Sequence, residues 1–224
     1  MVNLSNIEKY IKMREAGMAA NGKLMKYVSK DMMNYAVKLL GIRMQGNTIL
    51  FDNEEETSYL MNFLLYDYKI NGKNTVQLYQ ESHRANTEIE NEVINSMRSS
   101  YSSLFEVTSI RGFTISLRDL FRETDKPKKL IDVAFSMTAS SGTLLFIRLV
   151  PVGDRYMTSG VSFIFRKEIK QYLLRRYRKI SKKIQTGDQD MKRYIAFFKL
   201  NKECGEEALQ FSTSNFSQDV FQDQ

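Results

Sequence analysis

Between Arg166 and Lys183 the chain sets nine basic side chains against one acid. They are Arg166, Lys167, Lys170, Arg175, Arg176, Arg178, Lys179, Lys182 and Lys183, opposed within that stretch only by Glu168. At this density guanidinium forks and ammonium groups suit phosphate oxygens, the arginines through paired hydrogen bonds. Tyr172 and Tyr177 lie among them and offer rings for stacking on bases. The chemistry on offer is the gripping of a polyanion: nucleic acid, DNA or RNA, or an acidic protein surface. Plainer roles use the same residues. The segment is a solvated helix face, or it pairs with Glu54, Glu55 and Glu56, or with the acidic tail of the same chain.

No other set of residues composes a site. His83 is the only histidine and reads as a surface residue beside Arg84; no Gly-x-Ser-x-Gly accompanies it. Cys204 sits between Glu203 and Gly205-Glu206-Glu207, an acidic setting that would not lower a thiol pKa. Glu88 and Glu92 share a helix face at i, i+4, but no third metal ligand is in view. There is no P-loop and no Gly-x-Gly-x-x-Gly, so no cofactor and no metal is expected. Arg148 interrupts an apolar run and needs a partner. Asp119 or Asp132 is the expected one, making a structural bridge; the other use is anchoring a ligand in a barrel mouth.

The elements that must position the basic segment follow from periodicity. Arg166 to Ile184 carries an apolar stripe at Ile169, Tyr172, Leu173, Tyr177, Ile180 and Ile184, so it reads as an amphipathic helix packed by that stripe. Asp188 to about Leu200 is a second, short helix. Ahead of them lie five strand-like runs: Leu104–Ile110, Phe113–Leu117, Leu130–Ser136, Thr143–Val150 and Tyr156–Phe165. Arg111-Gly112 joins the first two as a hairpin. The run at Thr143–Val150 is apolar on both faces and is expected to be covered on both. Before the strands the chain is helical. Ser5-Asn6-Ile7-Glu8 is a capping box for a helix to about Ala20, broken at Asn21-Gly22. A second helix, Lys23 to Leu40, has Leu24, Tyr27, Val28, Met32, Tyr35 and Leu39 on its stripe and stops at Gly41. Ile42 to Phe51 allows a small hairpin. Three further helices are expected from Asp52 to Tyr68, Thr75 to Glu81 and about Glu88 to Ser99. The last two are capped by Asn74 and Thr87.

The expected fold is α+β: a helical N-terminal part, a five-stranded antiparallel bent sheet or small barrel of the OB or SH3 kind, and basic C-terminal helices. An open sheet against the helices is the alternative. The corresponding regions are 1–100 (helical), 101–165 (the β core), 166–200 (basic helical) and 201–224 (an acidic polar tail). Residues 210–224, with Phe211, Phe216 and Phe221 spaced among polar residues, read as largely disordered. The net charge of +7 is uneven. Residues 165–200 hold twelve basic and three acidic side chains, whereas residues 201–224 hold one and five. The apolar runs are too short to cross a membrane. The charges at Glu8, Lys9, Lys12 and Arg14 leave no signal-peptide core, and one cysteine excludes an internal disulfide, so a cytoplasmic location is expected.

Tyr101-Ser102-Ser103-Leu104-Phe105-Glu106-Val107, Leu117-Arg118-Asp119-Leu120, and Arg148-Leu149-Val150-Pro151-Val152-Gly153 with Ser159-Gly160 carry a resemblance. The pattern, with Leu65-Tyr66-Asp67-Tyr68 before it, resembles an uncharacterised bacterial domain often found together with a SEC-C zinc motif. It covers about residues 35–165 and implies the five-strand core. It implies no catalytic residue, and the cysteines of the zinc motif are absent here. The expected function is therefore non-enzymatic nucleic-acid binding through the basic helix. The other class is an adaptor that docks partner proteins with the same helix and the Phe-containing tail.

Overall fold

A computed structural model describes residues 4–83, 85–122 and 126–206. Its first helix, α1 (Leu4–Leu24), runs straight through Asn21-Gly22, where a break was expected. Tertiary packing overrides the breaker: Ala20 and Leu24 bury against Val93 and Ile94 on one helical face. A 3-10 turn, Met25–Tyr27, and the cap Ser29, whose Oγ accepts from Met32 N at 3.1 Å, start α2 (Lys30–Leu40) later than Lys23. Gly41 stops α2 with φ of 73°, a left-handed value that glycine tolerates.

A two-stranded hairpin follows, β1 (Arg43–Gln45) with β2 (Thr48–Leu50). Asn53 Oδ1 then accepts from Glu56 N at 3.0 Å and opens α3 (Glu55–Asn62). The helix widens into a π turn, Phe63–Asp67, whose five residues are all buried. Helices α4 (Thr75–Ser82) and α5 (Glu88–Ser99) are capped by Asn74 and Thr87, as expected.

Five strands make a closed barrel: β3 (Tyr101–Arg111), β4 (Thr114–Asp119), β5 (Lys128–Ile131), β6 (Leu144–Val152) and β7 (Arg155–Phe165). The order around it is β3-β4-β5-β7-β6, and β3 closes on β6. The fold is α+β, and an open sheet is ruled out. The sheet is nevertheless mixed and not antiparallel throughout, because β5 and β7 run parallel. β3 bends at a bulge between Val107 and Ser109, which lets it pair with both β4 and β6. The third strand ends at Ile131, five residues short of Ser136. Asp132 Oδ1 accepts from Phe135 N at 2.9 Å and diverts the chain into a short helix, α6 (Val133–Thr138).

Alternation along β3 and β6 separates two cores. Phe105, Val107, Leu145, Ile147 and Leu149 fill the barrel with Ile115, Leu117 and Leu130. Leu104, Leu144 and Phe146 point outward to the helices, so β6 is covered on both faces as expected. The covering element is α8 (Gln189–Cys204), capped by Asp188. It is no short appendage: Tyr194, Ile195, Ala196, Phe197 and Phe198 are consecutive and buried. Phe197 stacks on Phe146 at 4.2 Å and Tyr194 on Phe63 at 5.3 Å.

The basic segment is shorter than its periodicity implied. Arg166 is extended, Lys167–Ile169 is a 3-10 turn, and α7 spans Lys170–Ser181. The tail beyond Glu206, including 210–224, lies outside the described residues. No helix among the described residues is long and apolar enough to cross a membrane.

Candidate functional site

The inner stripe of α7 seats Leu173, Leu174, Tyr177 and Ile180 against α8. The two halves of the basic segment then meet different surroundings. At its start the cations are already engaged within the chain. Arg166 pairs with Glu206 at 2.6 Å and Lys170 with Glu106 at 2.9 Å. The stem of Lys167 lies over Gly142, where an added Cβ would meet Lys167 Cδ at 2.9 Å. Arg175 bonds back to the Gln171 carbonyl at 3.3 Å, and Arg178 is exposed.

At its end the segment lines an open cleft of about 780 Å³ between α2, α7 and α8. Arg176, Lys179, Lys182 and Lys183 come from the basic segment, Lys38 from α2 and Lys199 from α8. Among the described residues no carboxylate belongs to the lining. Among the described residues only Arg176 of these six stands in a salt bridge, with Glu203 at 2.9 Å. That contact holds the Glu203 carboxyl below the ordinary glutamate range. Placing Lys179 and its neighbours at the C-terminal end of α7 suits them to the negative end of the helix dipole, which offsets part of their mutual repulsion.

Between the cations the floor is apolar: Leu39, Ile180, Ile184 and Ile195. Tyr35 stands in the same lining, 53% exposed, although its spacing in α2 had placed it on the buried stripe. Its ring lies 5.9 Å from the buried ring of Tyr68, tilted by 55°. Of the two tyrosines expected to stack on bases, Tyr177 turns inward, with its ring 5.1 Å from Phe197 and 5.0 Å from Phe121. Tyr172 is exposed and gives its hydroxyl to Glu203 at 3.1 Å.

The acids around the start of α3 have a partner on α8. Glu56 and Asp52 take Lys202 there, at 2.6 and 2.7 Å. Several basic residues of the barrel are engaged as well. Lys129 bonds Ser116 Oγ at 2.9 Å, Arg155 bonds Thr114 Oγ1 at 2.6 Å, and Arg122 lies 4.3 Å over the Tyr101 ring. The cleft differs from these surfaces in holding cations that nothing in the described chain neutralises.

The remaining candidates resolve into structure. Arg148 pairs with Asp67, neither with Asp119 nor with Asp132. Asp119 accepts from Ser103 Oγ at 2.6 Å and from Phe121 N, and Asp132 caps α6. His83 is exposed, lies against Tyr79 at 4.8 Å and bonds the Tyr27 hydroxyl. Burial, helped by Glu203, pushes the Cys204 thiol above its usual pKa. Among the described residues no three His, Cys, Asp or Glu side chains are grouped to hold a metal ion.

Tyr35, Lys38 and Lys199 escaped the sequence reading. Lys38 lies one helical turn from Tyr35, but nothing local says that α2 faces the end of α7. Lys199 is a single exposed residue between buried Phe198 and Leu200.

Fold and cleft together define an α+β protein whose helices wrap a closed five-stranded barrel and form a cationic trough on the helical side. The chain belongs to a family of unknown function, DUF7986, whose model matches residues 4–210. Neither the curated proteins nor the solved structures searched contain a match to it.

Proposed function

We propose that this protein binds nucleic acid through the cleft between α2, α7 and α8. One observation carries the reading: six cations converge on one concave surface with no acid among the described residues of its lining. Phosphate contacts of this kind release condensed counterions and dominate affinity for nucleic acid. The site is held by helices that pack on the barrel core, so its cations are presented on a rigid frame. No catalytic step enters this reading. A cytoplasmic location goes with it, supported by the single cysteine, Cys204.

The test is fluorescence-anisotropy titration of labelled oligonucleotides at several salt concentrations, with the wild type and a Lys179→Glu, Lys182→Glu, Lys183→Glu variant. Wild-type binding should fall with salt and be lost in the variant. No binding at low salt would retire the reading in favour of a protein partner, to which the apolar floor would then be the contact surface.

A further inference from the structure

We infer that the nucleic acid held in this cleft is a single strand, with bases laid on Tyr35 and the apolar floor while lysines take the phosphates. The inference rests on the nucleic-acid reading and adds the class of ligand to it. The argument comes from the two chemistries that the cleft combines. A duplex turns its phosphates outward and stacks its bases inside, so a surface made for it needs cations and has no use for an exposed ring between them. Here the rims are cationic, and the space between them is Tyr35, Leu39, Ile180 and Ile184. Only an unpaired strand shows phosphates and base faces to the same groove.

Tyr35 is built for that contact. Its ring is more than half exposed, at 53%, yet it lies against Tyr68 from the protein side at 5.9 Å. A ring backed in this way loses little freedom when a base covers it. It also has no carboxylate partner like that of Tyr172, whose hydroxyl is held by Glu203. The reach of the site is short. Arg176 to Lys183 spans about 11 Å along the segment, room for only a few phosphates. On a single strand each such contact steepens the slope of log affinity against log salt by about 0.7.

The experiment compares three ligands on the full chain: a labelled oligothymidylate of about 12 nucleotides, within the range of single-strand site sizes, a duplex of equal length, and unlabelled inorganic polyphosphate as competitor. The proteins are the wild type, Tyr35→Ala and Tyr35→Phe, each checked for an unchanged thermal unfolding curve. The single strand should bind more tightly than the duplex. Tyr35→Ala should weaken the single strand about tenfold, the loss of one stacked base, while Tyr35→Phe keeps its affinity. Polyphosphate should compete equally against all three proteins, because it meets only the cations. Equal affinity for duplex and single strand, with Tyr35→Ala indistinguishable from wild type, would overturn the inference and leave nucleic-acid binding standing. A Tyr35→Ala loss that extends to polyphosphate would also overturn it, since the ring would then act through the cations. Absence of binding to every oligonucleotide would remove both readings together.

Discussion

Asp67 and Arg148, 81 residues apart, meet as a fully enclosed ion pair, Oδ1 to guanidinium Nη2 at 2.5 Å. Asp67 closes the π turn after α3, and Arg148 leaves β6 at the bulge between Ile147 and Leu149. The pair therefore rivets the helical part to the barrel. The guanidinium also lies 4.6 Å over the Tyr66 ring and reaches the Ser100 carbonyl at 3.3 Å. Burial pushes the Asp67 carboxyl up against the opposing pull of Arg148. Removing one partner leaves the other charge enclosed. Arg148→Met alone should cost about 3–5 kcal/mol in denaturant unfolding, and adding Asp67→Leu should recover much of that loss. Additive losses would show that the two residues do not act as a unit.

The two halves of the basic segment should separate under charge reversal. Lys170→Glu breaks a partly exposed contact with Glu106 and should cost no more than about 1 kcal/mol of stability. It should leave oligonucleotide affinity within about twofold, because one distant charge changes little at working salt. Lys182→Glu touches no internal partner, so it should leave stability unchanged and lower affinity steeply. Equal losses of binding from both variants would argue for a diffuse basic field in place of the cleft.

Glu203 restrains Arg176, among the described residues the one cleft cation with an internal counter-charge. Glu203→Gln should free the guanidinium for one more phosphate. The log-log salt slope for a single strand would steepen by about 0.7, with tighter binding at low salt. An unaltered slope would place Arg176 outside the contact.

Binding should be flat between about pH 5.5 and pH 8.5. The cationic lining is lysine and arginine, side chains that ordinarily lose their protons only well above neutrality. The carboxylate engaged with it among the described residues, Glu203, is held low by the Arg176 hydrogen bond and so stays ionised across the window. A lowered carboxylate gives up its charge only below its ordinary range, so the restraint on Arg176 lifts on the acid side, outside that window. A clear rise or fall near neutrality, read from anisotropy at constant ionic strength, would point to a different surface.

Much of this architecture was written in local pattern. Asn74, Thr87 and Gly41 mark element ends by their own chemistry, and the double-faced run of β6 announced that it would be covered. What local pattern missed depends on partners distant in sequence. Asn21-Gly22 has the composition of a break, and only the burial of Ala20 and Leu24 against α5 carries the helix through it. Asp132 looks like one more strand residue until its carboxylate caps α6. The nine cations of the basic segment were legible as a group. Their division was not, because Glu106, Glu203 and Glu206 come from elsewhere in the chain to occupy three of them. Tyr35 followed the apolar spacing of its helix and still ended beside the lysines, since spacing names a face without saying which part of it a neighbour covers.

The barrel is a ring with one weak join. β5 is only four residues long, and it meets β7 in parallel through a single register pair, Leu130 with Tyr156. Every other seam is antiparallel and longer. A ring opens at its shortest seam, so the amides of β5 that face β7 should exchange with solvent well before those of β3 and β6. Folding should meet the same asymmetry in reverse. The hairpins β3–β4 and β6–β7 form from near neighbours in the chain, and sealing the ring between β5 and β7 is left as a late step.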